Sequence, residues 1–190
     1  TEFMVALYFA IMDHDTGFNM DAKGEDVFFL SNGHISPLWY SVLSRAGYFD
    51  VAELSTFRKI NTRLQGHPAT HEGLPGIRVA SGSLGQGLSV AIGTALSKKL
   101  NGDDKTVYIL MGDGELQEGQ VWEAAMAAAN WKLDNLTAIL DRNGLQNDTY
   151  VDEVQPLDPL GDKWRAFGWQ VIDINGHDMD LVVHALESAT

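Results

Sequence analysis

Apolar positions along the chain fall into two repeating patterns. Short, nearly continuous apolar runs at 26–31 (DVFFLS), 106–111 (TVYILM), 136–141 (LTAILD) and 169–174 (WQVIDI) predict strands, the first two of them buried. Longer runs with apolar residues every three to four positions predict helices at 1–12, 36–47, 51–60, 120–131, 162–168 and 178–189. A Gly-rich turn beginning at Arg78 runs into a further helix, Leu84 to Leu100, and Gly47 is placed to close the helix that begins at Ser36. The stretch Gly66 to Gly76, rich in Gly, Pro and His, reads as a loop, and the polar tract 147–162 as a solvated one.

Strands separated by helices imply βαβ crossovers, so the predicted class is α/β, a parallel sheet with helices on both faces. Ligands of such sheets sit at the carboxyl ends of the strands. No repeat or linker interrupts the 190 residues, which are expected to form one domain. With 26 acidic against 13 basic residues the net charge is −13, and no basic run offsets it. Phosphate backbones and anionic lipid are therefore excluded as partners, so neither nucleic acid nor membrane is expected. The absence of cysteine removes disulfides, thiolate metal sites and thiol nucleophiles, and together with the lack of a signal peptide or long apolar span it suggests a cytoplasmic protein. The first residue is Thr1, already within a helical pattern, so the chain is expected to begin inside a longer sequence.

Asp113 stands between two glycines at the end of the strand Val107 to Met111, and the next strand leads to Asn143, thirty residues on. Neighbouring parallel strands end about 5 Å apart, which lets Asp113, Asn143 and nearby carbonyls converge as a hard oxygen site. Such a set suits a Mg²⁺ that keeps positions open for phosphate oxygens, with Gly112 and Gly114 letting backbone approach the phosphate. A second account is open: Asp113 as a helix N-cap and Asn143-Gly144 as a tight turn. Periodicity alone does not separate the two.

Four segments carry a family resemblance: LSNGHISPLWYSVLSRAGY, QGHPATHEGLPGIRVASGSLGQGLSVAIG, MGDGELQEGQVWEA and DRNGLQ. Their order and spacing resemble transketolase, in the domain that grips the diphosphate of thiamine diphosphate, and the likeness runs over essentially the whole chain. The GDG-to-Asn signature is shared with 1-deoxyxylulose-5-phosphate synthase and the first component of pyruvate dehydrogenase, whereas SNGH and GHP favour transketolase. The resemblance implies the thiamine diphosphate-binding fold and the cofactors thiamine diphosphate and Mg²⁺ (or Ca²⁺). It implies that Asp113, Asn143 and the Leu145 carbonyl ligate the metal, and that His34 and the Gly114 N–H contact the diphosphate. Gly82, Ser83 and Leu84 would line the cofactor rings. His67 and His34 would be the active-site imidazoles, His67 positioning or deprotonating the sugar. Glu118 matches an acidic residue of a network between paired sites, or is a carboxylate of a first helical turn. His14, His71, His177 and His184 match nothing in the pattern and read as surface or loop residues, and Trp122 and Trp131 as packing residues. Small residues Gly85, Gly87, Ser89 and Gly93 suggest a close helix–helix approach.

The chemistry implied is transfer of a two-carbon ketol unit from a ketose phosphate to an aldose phosphate, with the cofactor ring as electron sink. In this family a glutamate from a pyrimidine-binding domain completes the site, and no segment here is long enough to be that domain. Two family histidines also fall outside the sequence, so the resemblance implies a chain truncated at both ends, or the N-terminal subunit of a split bacterial transketolase. Its partner would be a pyrimidine-binding domain in the same or a second chain, within a homo-oligomer or heterotetramer. Two rival readings stand beside it, another thiamine diphosphate enzyme such as 1-deoxyxylulose-5-phosphate synthase, and a non-catalytic interaction subunit, against which stands the intact set His34, His67, Asp113 and Asn143.

Overall fold

Residues 1–147 and 149–189 are described by a computed structural model. In chain order the elements are α1 (Glu2–Ala6), which runs on as a π-helical turn (Leu7–Ile11), β1 (Val27–Leu30), α2 (Ser36–Ala46), α3 (Gly87–Leu100), β2 (Val107–Gly112), α4 (Gly119–Asn130), β3 (Leu136–Asp141), the short strands β4 (Leu145–Gln146) and β5 (Thr149–Tyr150), and α5 (Val151–Val154), α6 (Leu160–Ala166) and α7 (Met179–Ser188). They divide into two compact units, Thr1–Val27 with Gly33–Gly82 and Ile174–Thr190, and Phe28–Asn32 with Ser83–Asp173.

In the first unit α1 and its π-helical continuation pack on α7 and α2, burying Met4, Leu7, Trp39 and Leu43. The one polar atom on Trp39 is satisfied, its Nε1–H donating to the Tyr8 hydroxyl at 2.9 Å, and burial of that phenol raises its pKa well above the usual range. Gly47 ends α2 in the left-handed conformation, φ 98°, with its N–H returning to Ser44 O, as its position in the sequence predicts. The helix expected over 51–60 is shorter. Only Val51–Thr56 form a 3₁₀ helix, capped by the Asp50 carboxylate on the Ala52 N–H at 2.8 Å, and none of the six residues is buried. Without an apolar face against the core, local propensity does not sustain an α-helix there.

The second unit is built on a sheet in the order β1-β2-β3. β2 and β3 run parallel, from Val107 opposite Leu136 to Gly112 opposite Asp141, and Val107 to Met111 are almost completely buried. α3 covers β2 and β3 and packs beside α4. The α/β class and parallel sheet flanked by helices are thus as the sequence predicts. The strand expected over 169–174 does not form: Trp169 is anchored by its ring, edge-on to Trp164 at 5.1 Å, and by its Nε1–H on Ala125 O at 3.0 Å, while Ile172 beyond it is exposed. Trp122 packs on Trp164 and Phe167, but Trp131 is 49% exposed and is not the packing residue expected. The tract 147–162 also departs from a solvated loop, because β5, α5 and the start of α6 bury Val151, Leu157 and Leu160; Asp148 lies outside the described residues. The helix expected from Leu84 begins at Gly87, where the close approach is to Ser31 and Ile109, and among the described residues no atom outside its own helix backbone and chain neighbours lies within 4 Å of where a Cβ on Gly93 would be.

Candidate active site

In the second unit the ends of β2 and β3 meet at Asp113. Its N–H donates to Asp141 O at 3.2 Å, prolonging the ladder by one residue, and its side chain, 2% exposed, then turns across the strand ends. Asp113 Oδ1 accepts from the Gly114 N–H at 2.8 Å and Oδ2 from the Gly144 N–H at 2.7 Å. The second account of this residue is the one observed: it caps the 3₁₀ turn Gly114–Gln117, and its other oxygen ties the GDG turn to the Asn143-Gly144 turn. A carboxylate offers about four lone-pair directions, so two backbone donors leave it able to accept from a further ligand. Asn143 forms its own turn, with Oδ1 accepting from the Leu145 N–H at 2.8 Å and Nδ2 donating to Asp141 Oδ2 at 3.2 Å. Leu145 is 57% exposed and begins β4.

A Cβ on Gly114 would stand 2.9 Å from Gln146 Cβ, so only glycine lets the GDG backbone lie against β4. Among the described residues of this unit four buried side-chain polar atoms have no partner, Asn32 Oδ1, Asn135 Oδ1, Gln146 Nε2 and Trp164 Nε1, and the first and third of them lie beside the GDG turn. The Asn32 amide lies along Gly112, its Nδ2 3.7 Å from where a Cβ of that glycine would be. Orphaned buried polar groups are uncommon in native folds, and two of them beside the GDG turn fit a site built to take a polar ligand. Ser83 and Leu84 precede Gly85 on exposed backbone, with Leu84 39% exposed and its carbonyl 3.5 Å from Gln120 Nε2. Glu118 is exposed at the N-cap of α4 without a side-chain cap bond, and its Cβ would lie 2.8 Å from a Cβ on Gly85.

In the first unit His34, Gly82 and His67 come together through backbone. Gly33 is pressed on Ser81 and Gly82, where a Cβ would lie 2.7 Å from Gly82 N. Gly82 itself has φ +107° and abuts the imidazole of His67, so a Cβ there would sit 2.5 Å from His67 Cδ2. Both imidazoles are exposed, and Ser81 Oγ between the two segments is buried without a partner. The remaining histidines divide. His71 and His177 are exposed beside Glu72 and Glu2, but His14 is not a surface residue: it is half-buried, with Nε2 2.9 Å from Tyr8 O and Nδ1 3.0 Å from the Tyr48 hydroxyl. Its two partners and ring contacts make it a structural bridge.

Sequence reading passed over Asn32, Gln146 and Glu115. The first two lie inside the quoted segments SNGH and DRNGLQ, yet their burial without a partner is legible only in the fold. Among the described residues no cluster of three or more His, Asp or Glu could hold a metal.

The family described as "Transketolase, thiamine diphosphate binding domain" matches residues 4–190. The chain is 44% identical over 188 residues to the 6-deoxy-6-sulfo-D-fructose transketolase subunit SqwG of Clostridium sp. (strain MSTE9), covering 99% of this chain and 68% of that protein. It is 40% identical to human transketolase over 191 residues, covering 99% of this chain and 30% of that one. The structure of transketolase from Leishmania mexicana superposes with a TM-score of 0.90 at 30% identity, covering 98% of this chain and 29% of that chain. This sequence thus spans about two thirds of its subunit-type relatives and less than a third of the longer transketolases. The chain belongs to the transketolase family and is the thiamine diphosphate-binding part of a transketolase.

Proposed function

We propose that the chain grips the diphosphate of thiamine diphosphate through a divalent cation, Mg²⁺ or Ca²⁺, in an enzyme that moves a two-carbon ketol unit between sugar phosphates. The observation that carries the reading is the Asp113 carboxylate drawn across both strand ends to the Gly144 N–H, with the partnerless Asn32 Oδ1 and Gln146 Nε2 in the same unit. Asp113, Asn143 Oδ1 and the Leu145 carbonyl are the ligands proposed for the cation, and oxygen donors of this kind suit a hard ion. The Gly114 N–H and the His34 imidazole face the diphosphate in this reading, while Gly82, Ser83 and Leu84 line its rings. Bound thiamine diphosphate supplies the nucleophilic carbon and the electron sink for cleaving and forming the carbon–carbon bond. His67 orients the sugar and moves a proton at its hydroxyl, a task suited to an imidazole near neutrality; the backbone of Gly82 fixes the face its ring presents.

A pyrimidine-binding domain, in the same or a second chain, completes the site within a homo-oligomer or heterotetramer. The subunit-type relatives support a partner, since their names mark them as parts of an assembly. Among the described residues no helix is long and apolar enough to cross a membrane, and a cytoplasmic setting is proposed. The test is a coupled assay with xylulose 5-phosphate and ribose 5-phosphate, beside one with pyruvate, on the chain supplied with a pyrimidine-binding partner. Ketol transfer with no turnover of pyruvate is expected; consumption of pyruvate alone would refute a transketolase.

A further inference from the structure

Glu115 has no part in the site as proposed above, yet its carboxylate, 2% exposed, reaches three of the segments that make it. Oε1 accepts from the Ser31 hydroxyl and from the Gly85 N–H at 2.8 Å, and Oε2 accepts from the Gly112 N–H at 3.3 Å. Ser31 opens the segment that continues into Asn32, Gly85 directly follows Ser83 and Leu84, and Gly112 directly precedes Asp113. We propose that Glu115 is a positioning residue that holds the Ser83-Leu84 turn and the GDG turn in register for the cofactor, an inference that rests on the functional reading above.

The residue type follows from the donors. Both carboxylate oxygens meet hydrogen-bond donors, and only an ionised carboxylate is an acceptor at both ends. Glutamine in the same rotamer keeps one acceptor, for Ser31 and Gly85, and turns its NH₂ toward the Gly112 N–H, donor against donor. Aspartate is shorter by one methylene and does not span from the GDG turn to Gly85. Gly85, at φ +85° and in contact with Glu118 and Gln120, has no room for a side chain that could fix the turn in another way. The carboxylate of Glu115 therefore fixes the turn from beneath, through the backbone N–H.

The test compares Glu115→Gln and Glu115→Ala with wild type in the chain supplied with its pyrimidine-binding partner, by amide hydrogen exchange and by calorimetric titration with thiamine diphosphate and Mg²⁺. Glu115→Gln is expected to speed exchange at Gly112 by about tenfold, the equivalent of one hydrogen bond, while Gly85 and the α4 amide of Ala125 keep their protection. Glu115→Ala is expected to release Gly85 and Gly112 together and to weaken thiamine diphosphate by about tenfold or more, with glutamine recovering part of that affinity. Equal acceleration at Gly85, Gly112 and Ala125 in the glutamine variant overturns the assignment, since it marks a loss of stability only. Cofactor affinity unchanged in Glu115→Ala overturns it as well. A wild-type protein that takes up no thiamine diphosphate overturns the functional reading itself, a result distinct from either.

Discussion

The carboxylate of Asp113 reaches from the end of β2 to the backbone of Gly144 beyond β3, 2.7 Å from its nitrogen, and so joins two turns thirty-one residues apart. This side chain has a structural role beside the ligand role proposed for it. Asp113→Ala strips the acceptor from the Gly114 and Gly144 N–H groups, and an unpaired donor costs about 1–3 kcal/mol where water does not replace the partner. Denaturant unfolding should show the alanine variant less stable by about 2 kcal/mol, and Asp113→Asn, which keeps one acceptor oxygen, less affected. Equal stability of wild type and alanine variant would mean that the Gly144 contact is not maintained in solution.

Gly82 and His67 are coupled through their contact. Gly82→Ala places a methyl 2.5 Å from the imidazole in a backbone conformation that L residues rarely adopt, a combination expected to cost roughly 1–3 kcal/mol. His67→Ala removes the ring but not the fold. The expected pattern is lowered turnover for both variants with cofactor affinity retained in His67→Ala, measured as kcat beside the thiamine diphosphate Kd. Lost cofactor binding with normal turnover at saturation in His67→Ala would contradict the role given to this imidazole.

The pairing of β2 with β3, the burial of β2 and the meeting of Asp113 with the Asn143-Gly144 turn were legible in the sequence, because a buried parallel strand leaves a continuous apolar run and the strand ends carry its polar residues. The helix expected over 51–60 and the strand over 169–174 were not, since both depend on what lies beside them: the first lacks a core to cover, and the second is tied to α4 and α6 by Trp169. Glu115 was hidden for a related reason. A glutamate in GDGELQEG reads as a surface residue until the fold brings Ser31 and Gly85 to its oxygens from 84 and 30 positions away.

One ion pair gives a pH dependence of known sign. The Arg63 guanidinium grips Glu53 through two bonds, 2.5 and 2.8 Å, and holds its carboxyl below the ordinary value of 4.5. A depressed folded-state pKa contributes stability that is present above the unfolded value and lost as pH falls through the folded one. The thermal midpoints of wild type and Glu53→Gln should therefore differ at neutral pH and converge as the pH drops below 4.5. A gap that widens on acidification would show that the pair contributes nothing in solution.

Ketol transfer by the 190-residue chain alone is not expected, because the proposed chemistry takes a carboxylic acid from the pyrimidine-binding domain. Addition of that domain should restore turnover and shift the chain to a larger species on size-exclusion chromatography. Robust turnover by the isolated chain would show the division of the site to be wrong.

The most direct measurement is a calorimetric titration of the partnered protein with thiamine diphosphate, with and without Mg²⁺, in wild type and Asp113→Asn. The expected result is tight binding in wild type that requires Mg²⁺, and in the variant a loss of about a hundredfold or more, as befits removal of the charged ligand of a buried ion. Binding of equal affinity in both proteins, or wild-type binding indifferent to Mg²⁺, would contradict the assignment of Asp113 as the anchor of the cofactor.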